Sequence, residues 1–230
     1  MATSTAKPNA SSPPWFLISI IGVIIVGFLG IAWAISQGGD DGLESNVPLG
    51  GDVSAYDTVT VEGDILPDYQ SGTLDAAIGL TAPTLIGTDF SGDEVRIEPD
   101  GTPKIVYFLA HWCSHCNNEV PQIVELLTEG AQPEGLDIYA VSTAVLEDQP
   151  NYPPNNWLNF KGWNLPVMRD SETQAALQAY GAGGFPYAVY LDGDNTVINR
   201  TAGELGKDGI AASWTATVET AAAVADAATE

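Results

Sequence analysis

The two cysteines of this 230-residue chain lie three positions apart, in the motif Cys113-Ser114-His115-Cys116. An apolar run at 105–109 precedes them and predicts a buried strand, and the pattern that follows predicts a helix. The first sulfur is therefore expected at a helix N-terminus, where backbone N–H groups and the helix dipole stabilise a thiolate. Because the thiolate is the species that attacks disulfides, this arrangement predicts a redox centre.

Three other uses of such a cysteine pair are disfavoured. A structural disulfide that spans two residues constrains little chain entropy. A zinc site needs four ligands, and His111 and His115 are the only further candidates nearby. Covalent haem attachment needs a histidine directly after the second cysteine, where Asn117 stands. We therefore expect a redox-active disulfide, Cys113–Cys116, and no bound cofactor or metal.

Roles within the motif follow from position. Cys113 is expected to be the exposed nucleophile, and Cys116, one turn into the helix, the resolving thiol. A protonated His115 would stabilise the Cys113 thiolate and make the couple more oxidising, although an ordinary surface role fits it equally well. Trp112 is predicted to shield the sulfur region. His111 is predicted to be exposed and is given no role.

Residues 15–35 form a charge-free apolar segment. At about 1.5 Å per residue it reaches about 31 Å, the thickness of a bilayer's hydrocarbon core. Trp15 and Trp33 lie near its ends, as interfacial aromatic residues do. We predict a single transmembrane helix; the small-x-small pattern at 32–34 leaves a cleaved signal peptide as the alternative.

The flanks of this segment predict its orientation. Lys7 precedes it and acidic residues follow it at 40–44, so the N-terminus is expected in the cytoplasm and the remainder outside. Residues 1–14 have the composition of a disordered cytoplasmic tail, and residues 36–55 that of a flexible linker. An extracytoplasmic domain is predicted over 56–230, which makes the protein a single-pass membrane protein in contact with the bilayer through 15–35.

The net charge of −23 limits the partners of this domain. Such an excess of carboxylates argues against binding nucleic acid or anionic lipid surfaces. A solvated surface is the expected role of the charge, with steering of a cationic partner as the alternative.

Strand and helix patterns alternate through the predicted domain, which indicates an α/β fold with a partly parallel sheet and a closing antiparallel hairpin. Strands are predicted at 56–61, 104–109, 136–142, 166–168, 187–191 and 196–201, and a β-hairpin at 84–97. Helices are predicted at 113–129, 155–160, 171–180 and 207–228, and a single helical turn at 74–78.

A second motif, Gly183-Gly184-Phe185-Pro186, enters one of these strands. Proline after paired glycines is a candidate cis residue, and its missing N–H leaves an edge where an extended substrate can pair. On local sequence alone, a plain turn proline remains the alternative.

Residues 104–116, the Phe185-Pro186 step and the element order resemble the thioredoxin superfamily, and more narrowly the membrane-anchored TlpA/ResA-like thiol–disulfide oxidoreductases of bacteria. The similar span covers 82–214. The resemblance implies a thioredoxin-like fold, a mixed central sheet flanked by helices, with an N-terminal β-hairpin extension. It also implies that Cys113 attacks, that Cys116 resolves, and that Pro186 is cis beside them with Phe185 as a modulating neighbour.

The resemblance further implies a role for Glu119, which matches an acidic residue near the active site of this subgroup and would relay a proton to or from Cys116. An exposed acid favoured by the helix dipole is the alternative. Tyr107 stands where thioredoxins carry a buried Asp, so that proton route is absent or replaced. Residues 147–165 resemble the insertion typical of the subgroup and suggest no chemistry.

These observations predict a membrane-anchored extracytoplasmic oxidoreductase that exchanges disulfides with protein disulfide or dithiol substrates. A membrane or extracytoplasmic electron donor or acceptor would complete its cycle. Reduction, in cytochrome c maturation, is the expected direction. The alternatives are a thiol oxidase or isomerase of exported proteins, a metallochaperone that holds copper or zinc through the two cysteines and a histidine, and a docking domain with an incidental dithiol.

Overall fold

The computed structural model of the protein describes residues 54–227. The predicted tail, the predicted transmembrane helix and nearly all of the predicted linker lie outside these residues. Within residues 54–227, none of the helices combines the length and the apolar character that a membrane crossing requires.

A small antiparallel sheet opens the described part of the chain. Its order is β1-β2-β3, and residues 89–93 connect the last two strands as the predicted hairpin. These strands are β1 (Thr60–Glu62), β2 (Thr84–Thr88) and β3 (Glu94–Ile97).

The central sheet has five strands and carries helices on its faces. The strands are β4 (Lys104–Leu109), β5 (Asp137–Ser142), β6 (Val167–Arg169), β7 (Tyr187–Leu191) and β8 (Val197–Ala202), and the helices are α1 (Ser114–Thr128), α2 (Pro154–Lys161), α3 (Ala175–Ala179) and α4 (Gly206–Ala227). The strand order is β6-β5-β4-β7-β8, in which β4, β5 and β6 run parallel and β7 and β8 run antiparallel to their neighbours.

Strand β4 lies at the centre of this sheet, and all six of its residues are buried. Because side chains alternate along a strand, its odd-numbered residues enter one core and its even-numbered residues the other. The first core contains Ile123 of α1 and Trp214 of α4, and the second contains Leu85 of β2 and Tyr180. Burial on both faces explains why residues 105–109 of β4 form a continuous apolar run.

The predicted α/β architecture is confirmed, and the central strands and helices α1, α2 and α4 begin and end within two residues of their predicted limits. Two predicted elements are shorter than expected or absent. The strand predicted at 56–61 is limited to Thr60–Glu62, and the helical turn predicted at 74–78 is a non-helical turn.

The helix predicted to begin at Ser171 is α3, which begins only at Ala175. The Asp170 carboxylate accepts the N–H groups of Ser171 and Ala176, and Gln174 has a left-handed φ of 60°. These hydrogen bonds satisfy the backbone N–H groups in a turn. The regular helix therefore begins four residues after the predicted start.

The segment around Leu66 and Tyr69 supports the loop that precedes β7. The N–H of Leu66 donates to the Ala179 carbonyl and the N–H of Tyr69 to that of Gly181. Arg200 of β8 donates to the carbonyls of both Pro67 and Tyr180, which fixes the same two segments together. The loop that carries the Gly-Gly-Phe-Pro motif therefore rests on a supported backbone.

Candidate active site

The dithiol lies where the central strand β4 passes into helix α1. Cys113 is the N-cap residue of α1, with extended backbone angles (φ −72°, ψ 123°), and its N–H donates to the Ala110 carbonyl. Both cysteines are thiols. Cys113 is 8% exposed and Cys116 is fully buried. The nucleophile is therefore less exposed than predicted. Cys113 remains the more accessible of the two sulfurs.

The Phe185-Pro186 step lies against Cys113. The peptide bond between these two residues is cis, and the Cys113 sulfur is 3.8 Å from the Phe185 carbonyl oxygen. The rings of Trp112 and Phe185 meet edge to face at 6.0 Å between centroids. The structure therefore brings together Trp112, Cys113, Phe185 and Pro186, which belong to two sequence motifs about 70 residues apart.

Behind the accessible sulfur, Cys116 and Glu119 occupy a buried environment. Burial raises the pKa of the Cys116 thiol far above its ordinary value. Glu119 is only 2% exposed, and its carboxylate accepts the N–H of Leu205 at 2.7 Å. Burial raises the pKa of Glu119 to about 6, although the Leu205 bond opposes the change. The alternative of an exposed acid at Glu119 is therefore wrong.

Tyr107 occupies the same core as these groups. Its hydroxyl accepts a hydrogen bond from Trp214 Nε1 at 2.8 Å, and burial raises the pKa of the Tyr107 hydroxyl well above its ordinary value. The position where thioredoxins carry an ionisable Asp therefore holds a phenol that stays protonated near neutral pH.

His115 lies at the surface, in contrast to the buried Cys116 that follows it. Its side chain is 64% exposed, and its Nδ1 lies 2.5 Å from the carboxylate of Glu204. Asn118 donates to the same Glu204 oxygen at 3.1 Å. The His115 hydrogen bond lowers the pKa of Glu204. The sequence analysis missed Glu204; the only signal for it was an acid just after the last strand of the sheet.

His111 is buried, contrary to the prediction, at 1% exposure. Its Nε2 accepts the N–H of Leu146 at 3.2 Å, so Nδ1 carries the proton and donates to the Pro150 carbonyl at 2.8 Å. Burial lowers the pKa of His111. The loop at 144–150 covers the His111 ring. The Ala144 carbonyl of the same loop accepts the Trp112 indole N–H.

Asn117, the residue after Cys116, joins the predicted insertion to the active-site helix. Its amide donates to the His111 carbonyl at 3.0 Å, and its side-chain oxygen accepts the Trp157 indole N–H at 2.9 Å. Lys161, at the end of α2, donates to the Asn117 carbonyl at 3.1 Å. The insertion therefore has a structural role at the start of α1 that no local pattern indicated.

Neither histidine near the dithiol is available as a metal ligand without loss of its present partners. Both ring nitrogens of His111 are hydrogen bonded, and His115 contacts Glu204. Among residues 54–227, no three His, Cys, Asp or Glu side chains are grouped as a metal site.

The fold and the site together define a thioredoxin-fold protein with a two-cysteine centre beside a cis-proline. Residues 74–210 match the AhpC/TSA family, and the chain belongs to that family. It is 28% identical over 132 residues to the thiol-disulfide oxidoreductase ResA of Bacillus anthracis, covering 57% of this chain and 73% of the relative. The corresponding identity to ResA of Geobacillus thermodenitrificans is 29% over 135 residues, covering 58% and 74%.

A solved structure gives the same fold. A Chlorobium tepidum protein described as a thiol:disulfide interchange protein DsbE superposes with a TM-score of 0.51 at 19% identity, covering 65% of this chain and 99% of that one. The predicted thioredoxin-like fold is confirmed by this likeness, and the predicted kinship with ResA-like thiol–disulfide oxidoreductases by the sequence relatives.

Proposed function

We propose that this protein is a membrane-anchored, extracytoplasmic oxidoreductase that reduces disulfides in protein substrates through Cys113 and Cys116. One observation carries the proposal: the more accessible sulfur caps a helix N-terminus and lies 3.8 Å from the carbonyl that precedes Pro186. This arrangement combines a sulfur at a helix N-terminus, a favourable place for a thiolate in general, with a backbone edge on which an extended substrate can lie.

The reaction proceeds through a mixed disulfide. The Cys113 thiolate attacks one sulfur of the substrate disulfide; the substrate S–S bond breaks, a Cys113–substrate S–S bond forms, and the leaving thiolate takes up a proton. The Cys116 thiolate then attacks the Cys113 sulfur and releases the second substrate thiolate. Two electrons have passed to the substrate, and a Cys113–Cys116 disulfide remains for an external dithiol donor to reduce.

The second step needs a base, because burial opposes ionisation of Cys116. Glu119 supplies it in our proposal: a carboxyl with a pKa of about 6 is ionised at neutral pH and is still basic enough to accept a proton. Its hydrogen bond from Leu205 holds the carboxylate in place between proton transfers.

The residues before Pro186 contribute the substrate edge. Pro186 has no N–H, and its carbonyl already accepts the N–H of Gly203 at 2.8 Å. Pairing by a substrate strand therefore falls to the residues before it, where Gly184 is exposed and Phe185 half-buried. The small glycine leaves room for the substrate backbone.

The location outside the cytosol is proposed from the sequence alone. The charge-free segment at 15–35 would anchor the chain, the tail at 1–14 would remain in the cytoplasm, and the linker at 36–55 would connect the catalytic domain at 56–230. An exported dithiol needs an electron donor in or beyond the membrane, and cytochrome c maturation is the process we propose for it.

Reduction is the proposed direction because the charge of His115, the residue that favours oxidation, is offset by the Glu204 carboxylate. A free cationic His115 would stabilise the reduced dithiol, but its ring lies against the Glu204 carboxylate. The competing function, a thiol oxidase, is favoured only by the presence of a histidine between the cysteines.

Insulin reduction by the purified full-length protein in detergent tests the activity. We expect Cys113→Ser to abolish turnover and Cys116→Ser to accumulate a mixed disulfide with the substrate. Ser114→Ala, an exposed neighbour in the same motif, is the matched control and should retain turnover. Unchanged turnover in Cys113→Ser would refute the enzymatic role.

Fractionation of cells that produce the full-length chain tests the anchor. We expect the protein in the membrane fraction at its full mass, with its catalytic domain open to protease added outside the cytoplasmic membrane. A soluble product shortened at about residue 34 would instead establish the cleaved signal peptide.

A further inference from the structure

Three consecutive residues after β8, here called the 203–205 strap, connect both halves of the active site. The N–H of Gly203 donates to the Pro186 carbonyl at 2.8 Å. The Glu204 carboxylate contacts His115 at 2.5 Å and accepts from Asn118 at 3.1 Å. The N–H of Leu205 donates to Glu119 at 2.7 Å. The strap thus touches the cis-proline, the motif histidine and the buried acid.

His115 is the one group between the two cysteines able to carry a charge. A cation close to a thiolate stabilises it, and a stabilised reduced form makes a dithiol couple more oxidising. The six basic side chains in residues 54–227 are all engaged elsewhere: Arg96 with Glu98, Lys104 with Asp100, Lys161 with the Asn117 carbonyl, Arg169 with Asp57, Arg200 with Asp75, and Lys207 with Glu125 and Glu129. Glu204 is the charged side chain that contacts His115.

We propose that Glu204 is a positioning residue that holds His115 and offsets its charge, and so keeps the Cys113–Cys116 couple reducing. This inference rests on the proposed function and assigns the control of the redox potential at the same site. Glu204 has no contact with either sulfur, so it acts through His115. The pair lies at the surface, with 29% of the Glu204 side chain and 64% of the His115 side chain accessible.

The consequence is measurable in the exchange with glutathione. The protein disulfide and two molecules of reduced glutathione yield the protein dithiol and one molecule of oxidised glutathione, with two electrons transferred. An uncompensated His115 cation favours the dithiol side because Cys113 is then more readily present as a thiolate. A neighbouring carboxylate removes that advantage and shifts the equilibrium toward the protein disulfide.

Equilibration of the full-length protein with glutathione buffers at pH 6 tests this assignment. We expect Glu204→Gln to raise the equilibrium constant for reduction of the protein disulfide about five- to tenfold, where a tenfold change corresponds to about 30 mV. His115→Asn should change it less than about twofold. The double variant should match His115→Asn.

The double variant distinguishes an effect of Glu204 on the redox equilibrium through His115 from an effect through other residues. The Glu204 charge also raises the pKa of Glu119, and any effect through that residue would persist when His115 is replaced. An unchanged constant in Glu204→Gln, or an equal rise in the His115→Asn background, overturns the proposal. Glutamine retains an oxygen for Asn118, and His115→Asn provides an independent measurement if Glu204→Gln folds poorly.

Glu129→Gln is the matched control, since Glu129 forms a carboxylate–cation pair with Lys207 at the other end of α1, at 2.8 Å. We expect it to leave the equilibrium constant within twofold of the wild type. Loss of insulin reduction in Cys113→Ser together with an unchanged constant in Glu204→Gln would refute this inference alone. Retained insulin reduction in Cys113→Ser would refute the proposed function itself.

Discussion

The indole N–H of Trp214 donates to the hydroxyl of Tyr107 at 2.8 Å, and both side chains are fully buried between α4 and the central strand β4. Tyr107→Phe removes the acceptor and leaves the indole N–H without a partner in the core. We expect the free energy of unfolding to fall by about 1–3 kcal/mol, measured by urea denaturation. Insulin reduction should persist, because the raised pKa of Tyr107 keeps its hydroxyl protonated at neutral pH and so unsuited to act as a base.

The control for this prediction is Tyr190→Phe. Its hydroxyl pairs with the Thr201 hydroxyl, which is only half-buried and can rotate toward solvent. A smaller loss, below about 1 kcal/mol, is expected. Equal losses in the two variants would show that the indole bond has no particular importance.

Glu119 makes stability depend on pH in a defined direction. Its folded pKa, about 6, lies above the ordinary value of 4.5, so the folded state favours the protonated carboxyl. The unfolding free energy of the reduced wild type should therefore decline by about 2 kcal/mol as the pH rises from about 4.5 through about 6. Denaturation of Glu119→Gln at pH 4 and pH 8 should show this decline to be absent; an identical decline in the variant would contradict the assignment.

The same carboxyl should control the resolution of the mixed disulfide. In the wild type, the rate of substrate release should rise with pH through about 6, as Glu119 becomes able to accept the Cys116 proton. Glu119→Gln should lose this rise and release substrate at least about a hundredfold more slowly at pH 7. Single-turnover release from a preformed mixed disulfide is the direct measurement, and a wild-type rate in the variant would exclude the relay.

His111 should make the 144–150 loop sensitive to acid. Because burial lowers its pKa below the ordinary 6.5, the neutral ring contributes stability that is present above pH 6.5 and is lost as the pH falls through the lowered pKa. Protonation of Nε2 breaks the bond from the Leu146 N–H. The protection factor of the Leu146 amide against hydrogen exchange, which corrects for the intrinsic pH dependence of exchange, should decrease in the wild type as the pH falls below 6.5.

His111→Ala provides the comparison. It should be less stable than the wild type by about 1–3 kcal/mol at pH 8, where the ring makes both bonds, and the difference should shrink at pH 5. A constant difference across this range would show that the ring acts by packing alone.

Two adjacent glycines in the proline loop should respond differently to a methyl group. A Cβ on Gly183 would meet the Tyr69 carbonyl oxygen at 2.8 Å, whereas one on Gly184 would have only the Ala202 side chain, at 3.9 Å. We expect Gly183→Ala to destabilise the protein by about 1–3 kcal/mol and to lower insulin reduction by moving Phe185. Thermal and urea unfolding of the two variants checks the prediction, which fails if Gly184→Ala is the more damaging substitution.

The features predicted correctly from sequence are those set by local patterns. The continuous apolar run of β4, the dithiol at the start of α1 and the strand that follows Pro186 each depend on a short stretch of chain. The meeting of Cys113 with Phe185 was accessible only through the resemblance to a known family, since nothing local joins segments 72 residues apart.

The errors and omissions arise from contacts between distant segments. His111 was assigned to the surface because its burial depends on the loop at 144–150, which folds back over it. Glu204 was missed because its partner His115 lies 89 residues earlier. The late start of α3 reflects the buried carboxylate of Asp170, whose bonds to the backbone outweigh the N-cap preference of Ser171.

The complete burial of Cys116 has a consequence for the order of events in the cycle. In the proposed cycle, an incoming disulfide and an incoming reductant both react at the sulfur of Cys113, the first when the protein is a dithiol and the second when it is a disulfide. The rate at which the Cys116 sulfur displaces a bound partner from Cys113 then sets how long each mixed disulfide survives.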